Sequence, residues 1–276
     1  MGPSEGGIRL LNNITLGQYY PVDSPVHRLD PRVKLLLTIS FIVAVFLAKD
    51  FLAYGILLLF VIVASRLSHV PFKMLLKGLK PLRVILILTF CLNLFFTGGE
   101  TIWVEFWIIR ISKEAFLQAL YFSLRLVFLV AGTSLLTLTT SPVALADGIE
   151  MLLAPLKKIH FPAHELAMMM TIALRFIPTL LEETDKIMKA QMARGADFES
   201  GNLLSRAKAM VPLLVPLFVS AFRRASELAM AMESRCYHGG EGRTRLRVLK
   251  INKYDWFACG AMAGLLALII LEGIFL

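Results

Sequence analysis

The sequence is poor in charged residues and in cysteine. Only 18% of its 276 residues are charged and 57% are hydrophobic, whereas globular proteins average about 25% charged and about 45–50% apolar residues. The three cysteines, Cys91, Cys236 and Cys259, are far apart and form no CxxC pair, so neither a disulfide framework nor a zinc site is indicated. The composition predicts a protein that crosses a lipid bilayer. In such a protein the net charge of +9 marks cytoplasmic loops rather than a nucleic-acid partner.

Sequence motifs of catalysis are also missing. The chain has no Walker A loop, no GxSxG turn and no HExxH pair. We therefore predict a non-catalytic protein without a cofactor of its own, so that any ATP it depends on is hydrolysed by a partner. A membrane enzyme is an open alternative, because Asp147, Glu150 and His164 supply candidate acid–base groups.

Five apolar runs predict transmembrane helices. A helix needs about 20 residues to cross the hydrocarbon core, so the shorter runs must be completed by flanking residues. The runs cover residues 33–48, 51–65, 84–96, 115–139 and 256–276. They predict an all-α, polytopic membrane protein with about five transmembrane helices.

Basic residues indicate how the helices are oriented. Lysine and arginine are enriched in cytoplasmic loops, and here they gather before the first run and between the second and third. We therefore predict a cytoplasmic N-terminus and a C-terminus outside. The first group is His27, Arg28, Arg32 and Lys34, and the second is Arg66, Lys73, Lys77, Lys80 and Arg83.

One arginine lies inside a predicted span. Arg125 is either a polar site on a transport path or an arginine that is hydrogen-bonded to backbone carbonyls within the bundle. We favour the second, because an unpaired charge within the bilayer is costly. A stand-alone permease or channel that forms its own substrate pathway is the main alternative function. It would need polar residues along several spans, and apart from Arg125, Asn93 and a few Ser and Thr the spans are apolar.

Residues 140–253 form a different kind of segment. From 141 onward they hold 16 of the 29 lysines and arginines, together with 11 acids. Their apolar runs are interrupted by Arg175, Pro178, Pro212 and Pro216, which favours long amphipathic helices at or below the membrane surface over further spans. The predicted organisation is a cytoplasmic N-terminal segment (1–32), four transmembrane helices (33–139), a cytoplasmic domain (140–253) and a C-terminal transmembrane helix (254–276).

A weak internal repeat lies in this cytoplasmic domain. Residues 183–195 and 224–236 are 41 positions apart, and both favour helix and end in small–Arg–small. The two endings are Ala193-Arg194-Gly195 and Ser234-Arg235-Cys236. One helix end of this kind is common, because glycine suits the position beyond a helix and arginine favours its last turn. Two matched ends predict arginines that dock into two acidic grooves, since a guanidinium can bind a carboxylate through two hydrogen bonds.

The two motifs, the opening of the chain and its hydropathy together resemble the EcfT family. The opening is Gly17-Gln-Tyr-Tyr-Pro-Val-Asp-Ser24, followed by His27-Arg-Leu-Asp-Pro-Arg32. The resemblance spans nearly the whole chain. EcfT is the transmembrane coupling component of energy-coupling factor transporters, which import vitamins or metal ions across the prokaryotic cytoplasmic membrane.

The resemblance implies partners and residue roles. The family couples two cytoplasmic ATPase subunits, which bind the ATP, to a separate substrate-binding membrane protein called the S component. By matching position, Arg194 and Arg235 would each dock in one ATPase, with their small neighbours allowing close approach. The second motif departs from Ala-Arg-Gly at both flanks. Residues 140–253 would then be the coupling domain.

Methionines are concentrated in the same domain. Eight of the 12 fall between Met168 and Met232, and methionine is over-used on surfaces that adapt to several partners. Helical spacing also places Leu214, Phe218, Ala221, Ala225, Leu228 and Met232 on one face. We hypothesise that part of this surface contacts the S component, and an ordinary helix–helix core is the alternative. The candidate contacts are Met188, Met192, Leu214, Phe218, Met230 and Met232.

Overall fold

The computed structural model describes residues 19–98, 102–106, 109–155, 162–196, 198, 202–239 and 249–275. Nearly all of this is α-helical, which confirms the predicted all-α class. A short antiparallel hairpin of Ile102–Phe106 and Ile109–Ser112 is the one sheet within these ranges. Residues 1–18, with Gly17 and Gln18 of the opening motif, lie outside the described residues.

The helices are numbered here in chain order. Four of the five predicted apolar runs correspond to α1, α2, α5 and α9, within a few residues at each end. The helices are α1 (Pro31–Leu47), α2 (Phe51–Leu67), α3 (Phe72–Leu79), α4 (Arg83–Phe96), α5 (Lys113–Thr139), α6 (Pro142–Leu153), α7 (Ala163–Ala193), α8 (Leu203–Glu233) and α9 (Lys253–Phe275).

The third predicted span is longer in the structure than its apolar run. A 3-10 turn at Lys80–Leu82 joins α3 to α4, so that Phe72–Phe96 is one helical stretch of 25 residues. Pro81 does not interrupt it, because proline is tolerated in the first turn of a helix. The flanking residues that complete this span are therefore the basic ones on its N-terminal side.

Length and composition mark five of the helical stretches as candidate membrane spans. Three of them match predicted runs, namely Phe72–Phe96, Lys113–Thr139 and Lys253–Ile274. The other two, Ala163–Ala193 and Lys208–Glu233, fall within the segment 140–253. The cytoplasmic position of that segment stays a prediction, since its two long helices meet the criterion for spans as well. Helix α2 is also apolar, with 17 residues.

The chain divides into two compact units. The larger unit contains Gly17–Gly148 and Val248–Leu276, and the smaller contains Ile149–Arg247. In the larger unit α1, α2, α5 and α9 surround one apolar core, which includes Val45, Leu57 and Phe128. Close packing explains Gly132 in α5, because a Cβ there would lie 2.5 Å from the ring of Phe41 in α1.

Buried charges hold the helix ends together at one end of the larger unit. Lys34 Nζ donates to the backbone oxygen of Thr139, the last residue of α5, at 2.8 Å. The carboxylate of Asp255, in the first turn of α9, accepts from the backbone nitrogens of Asp30 at 2.9 Å and Asn252 at 2.6 Å. The cation Lys34 therefore binds a helix C-terminus, and the anion Asp255 binds two helix N-termini. Both arrangements are the ones that the helix dipole favours.

The smaller unit contains the two longest helices, which pack antiparallel. Arg224 of α8 contacts Glu183 of α7 at 2.9 Å, and Gln191 Nε2 of α7 donates to the backbone oxygen of Pro212 of α8 at 3.4 Å. Residue numbers therefore rise along one helix as they fall along the other. Pro178, Pro212 and Pro216 lie inside these helices without ending them.

Candidate docking site

The two small–Arg–small motifs end their helices with the same backbone geometry. After α7, the amide of Gly195 donates to the oxygen of Met192 and that of Ala196 donates to Gln191, each at 3.0 Å. After α8, the amide of Cys236 donates to Glu233 at 2.9 Å and that of Tyr237 donates to Met232 at 3.1 Å. This pair of hydrogen bonds is the Schellman ending of a helix.

The third motif residue makes the turn in both places. Gly195 has a φ of +88° and Cys236 a φ of +55°, both in the left-handed region. All the equivalent donors and acceptors of the two endings are 41 positions apart, which is the spacing of the sequence repeat. The weak sequence repeat is therefore also a repeat of backbone structure.

Both motif arginines are open to a partner. All six motif residues are exposed: Ala193, Arg194, Gly195, Ser234, Arg235 and Cys236. Neither guanidinium forms an ion pair with a described residue of the smaller unit, whereas Arg223 and Arg224 both pair with glutamates. With respect to the described residues of the smaller unit, the fork of hydrogen-bond donors on each motif arginine is therefore available to another molecule.

The antiparallel packing separates the two arginines. Arg194 and Arg235 each lie eleven residues after the members of the Glu183–Arg224 ion pair. At 1.5 Å per residue, each arginine is about 16 Å along its own helix from that contact, in opposite directions. The two sites are therefore suited to two separate docking grooves rather than to one shared groove.

The candidate S-component residues divide into two groups. Met192, Leu214, Phe218 and Met230 are exposed, with 42%, 43%, 62% and 61% of their surface accessible. Met188 and Met232 are half-buried within the smaller unit. The apolar face that helical spacing predicts on α8 is only partly covered in the structure. Ala221, Leu228 and Met232 are half-buried, whereas Leu214, Phe218 and Ala225 are exposed.

Arg125 is hydrogen-bonded to a backbone carbonyl within the helix bundle, which is the interpretation that we favoured from the sequence. Its Nη2 donates to the oxygen of Ala48, at the C-terminal end of α1, at 3.3 Å. Its guanidinium also lies 5.6 Å and 5.5 Å from the ring centres of Phe46 and Phe122. The cation is placed where the carbonyl end of a helix and two aromatic faces stabilise it.

Two polar contacts were not predicted. Glu272, inside the apolar α9, accepts from the backbone nitrogen of Ala53 at 2.9 Å and so caps the N-terminus of α2. His164 Nδ1 lies 2.9 Å from Glu150 Oε1, which joins the start of α7 to α6. An ionisable residue within an apolar run was the available signal for Glu272. No group of three metal-binding side chains occurs among the described residues.

The chain matches known transport proteins over most of its length. A family model described as cobalt transport protein, CbiQ, matches residues 23–246. The energy-coupling factor transporter transmembrane protein EcfT of Thermosediminibacter oceani is 57% identical over 257 residues, which cover 93% of this chain and 96% of that protein. The chain belongs to the EcfT family.

Other family members agree at similar levels. EcfT of Clostridium kluyveri is 55% identical, over 90% of this chain and 93% of that protein. EcfT of Bacillus subtilis is 53% identical, over 87% of this chain and 91% of its own. Membership and the apolar helices make this chain a multi-pass membrane component of an energy-coupling factor transporter. The resemblance inferred from the residues is thereby confirmed.

Proposed function

We propose that this chain couples ATP hydrolysis by two cytoplasmic ATPase subunits to movement of a substrate-binding S component, which delivers a vitamin or a metal ion into the cell. In this proposal the chain is not an enzyme, and ATP is bound by the partners. The observation that carries the proposal is the pair of exposed motif arginines on matched helix ends, neither of which forms an ion pair with a described residue of the smaller unit. The proposal includes a cytoplasmic position for 140–253 and for the N-terminus, with the C-terminus outside.

The arrangement of α7 and α8 supports two equivalent partners. Their repeats are antiparallel, and the ion pair joins the same repeat position in each, Glu183 in one and Arg224 in the other. Such a pair has an approximate two-fold axis between the helices. A dimer of ATPases has related symmetry, so each subunit can receive one arginine in the same orientation.

The chemistry of each contact follows from the motif. A guanidinium carries five N–H donors in a planar fork and binds a carboxylate through two of them. The small side chains on either side of Arg194 and Arg235 leave room for the wall of a groove. A charge reversal at either arginine would place like charges together, which weakens docking strongly.

The S component has a separate surface in this proposal. The exposed apolar residues Leu214 and Phe218 on α8, with Met192 and Met230, supply flexible and apolar contact area. These side chains are distinct from the motif arginines, so the two kinds of partner can be released separately. The substrate itself is recognised by the S component, which is why vitamin and metal-ion transport can share one coupling subunit.

Co-purification of the transporter complex tests the proposal. Arg194→Glu, Arg235→Glu and the double variant would be compared with wild type for retention of the ATPases. The matched control is Arg223→Glu, which reverses an exposed arginine on α8 outside the motifs. We expect the double variant to remain in the membrane fraction and lose the ATPases, while the control keeps them.

Retention of the ATPases by the double variant would contradict the proposal. If the double variant retains both ATPases and ATP-driven uptake is unchanged, the arginines are ordinary helix-end residues. The stand-alone permease would then be the better account of the chain.

A further inference from the structure

A cationic surface surrounds helix α3 at one end of the larger unit. Residues 51–99 contain no aspartate or glutamate, yet they carry five lysines and arginines within 18 positions. These residues are Arg66, Lys73, Lys77, Lys80 and Arg83, and they define what we call the α3 cationic surface.

All five cations are exposed, and none forms an ion pair with a described residue of its own unit. By contrast, Arg28 and Arg32 in the same unit are both paired with aspartates. Because no acid lies nearby in the sequence, the charge of this surface is not neutralised from within the described residues of the larger unit.

The opposite face of α3 is fixed against the helix bundle. Leu75 is 3% exposed and packs with Val70 and Leu138. A Cβ at Gly78 would lie 2.8 Å from Ser134 Oγ of α5, so the two helices are in close contact there. The orientation of α3 is therefore set by packing, and its cationic side must face outward.

The turn before α3 strengthens this arrangement. Ser65 Oγ donates to the backbone oxygen of Val70 at 3.2 Å, and Ser68 Oγ donates to that of Ser65 at 2.8 Å. Both serines are buried. These hydrogen bonds fix the direction in which the chain enters α3.

Large apolar side chains accompany the cations. Phe72 and Leu76 are each 49% exposed and lie one turn apart on α3, next to Lys73 and Lys77. A short helix with lysines beside exposed Phe and Leu is typical of a segment at the interface between lipid headgroups and acyl chains. The α3 end of the unit is also the end where α5 stops at Thr139.

We propose that the α3 cationic surface binds the headgroups of anionic phospholipids, with Phe72 and Leu76 inserted among the acyl chains. Lysines and arginines at a membrane surface attract anionic lipids, and clusters of them select such lipids from a mixture. This contact would hold the joint between α2 and the long third span at the level of the headgroups. It does not depend on the ATPase-docking proposal, because the residues and the partner are different.

Lipid selection by the full-length chain tests this proposal. The chain would be reconstituted in phosphatidylcholine membranes with a fixed share of phosphatidylglycerol, and the retained lipids would be counted by native mass spectrometry. The test variant is Lys77→Gln/Lys80→Gln. The matched control is Lys49→Gln/Lys113→Gln, which removes two exposed lysines at the other end of the same unit. Glutamine keeps the helix propensity of lysine, so folding should be preserved.

We expect wild type and the control to retain phosphatidylglycerol in preference to phosphatidylcholine. In the test variant the preference for phosphatidylglycerol should fall at least about fivefold. Removing a single cation near an anionic surface already has about this effect. High salt should reduce the wild-type preference as well.

Three results would overturn the proposal. The first is an unchanged preference in the test variant, and the second is an equal loss in the control, which would show only an effect of net charge. The third is an unchanged lipid preference together with loss of a subunit when the same variant is purified as the assembled transporter, which would make this surface a protein contact. The single variants Lys77→Gln and Lys80→Gln give the same readout if the double variant does not fold.

Discussion

Arg224 donates a hydrogen bond to Glu183 at 2.9 Å, and the two residues occupy the same position in two repeats that are 41 residues apart. The repeats differ at this position, where one has a base and the other an acid. Identical residues would repel each other across the contact, so this difference allows the two helices to be joined there. The joint lies at equal sequence distance from Arg194 and Arg235, and we infer that it fixes the position of one proposed docking end relative to the other.

Replacing Glu183 by arginine should weaken the coupling of ATP hydrolysis to uptake, and exchanging both members of the ion pair should restore it. Glu183→Arg places two cations in contact, and since the pair is partly exposed we expect a loss of about 1 kcal/mol in stability. The double variant Glu183→Arg/Arg224→Glu should recover most of the loss in thermal unfolding and in ATP-driven uptake. A double variant that is as defective as the sum of its single variants would contradict this role.

The exposed and half-buried members of the methionine-rich surface should behave differently. Replacing Met192, Leu214, Phe218 and Met230 by alanine should reduce the amount of S component that co-purifies, with the ATPases retained. Alanine at Met188 and Met232 should instead lower thermal stability, because these side chains pack within the smaller unit. If the exposed set leaves S-component retention unchanged, this surface is not the contact.

The two helix endings predict opposite effects of paired substitutions. Cys236 adopts a φ of +55°, which costs a residue with a Cβ about 1–2 kcal/mol, so Cys236→Gly should raise the free energy of unfolding by about 1 kcal/mol. Gly195→Ala introduces the same strain at a φ of +88° and should lower it by a similar amount. Thermal unfolding of the chain without partners measures both. Equal effects of the two changes would show that backbone strain does not govern these ends.

Arg125 should matter for stability rather than for a transport path. Arg125→Met removes the hydrogen bond to Ala48 and the contacts with two aromatic rings, and we expect a loss of about 1–3 kcal/mol. Uptake per folded complex should stay close to wild type, because no step passes through this side chain. Normal stability with abolished uptake would instead favour a polar site on a pathway.

Local patterns in the sequence were sufficient for much of the fold. Apolar runs predicted α1, α2, α5 and α9, because a helix that faces lipid needs only length and hydropathy. The paired motifs predicted the ends of α7 and α8. Each motif, 193–195 and 234–236, places an arginine at the helix end and a small residue directly after it, which is typical of a helix C-terminus.

Contacts between distant parts of the chain could not be predicted in this way. Asp255 accepts from the backbone of Asp30 across 225 positions, and Lys34 reaches Thr139 across 105. Neither pairing leaves a trace in periodicity or hydropathy. The burial of individual α8 positions could not be predicted for a related reason. Nearly every position between 210 and 222 is apolar, and only packing against α7 selects the half-buried ones.

Site-directed photo-cross-linking from positions 193 and 234 tests the central claim most directly. A photoreactive residue replaces Ala193 or Ser234, next to each motif arginine, in the assembled transporter. The account predicts that each position cross-links to an ATPase, and that a chain with both substitutions forms an adduct with two ATPase subunits. Cross-links from both positions to the S component or to lipid alone, with no ATPase adduct, would contradict it.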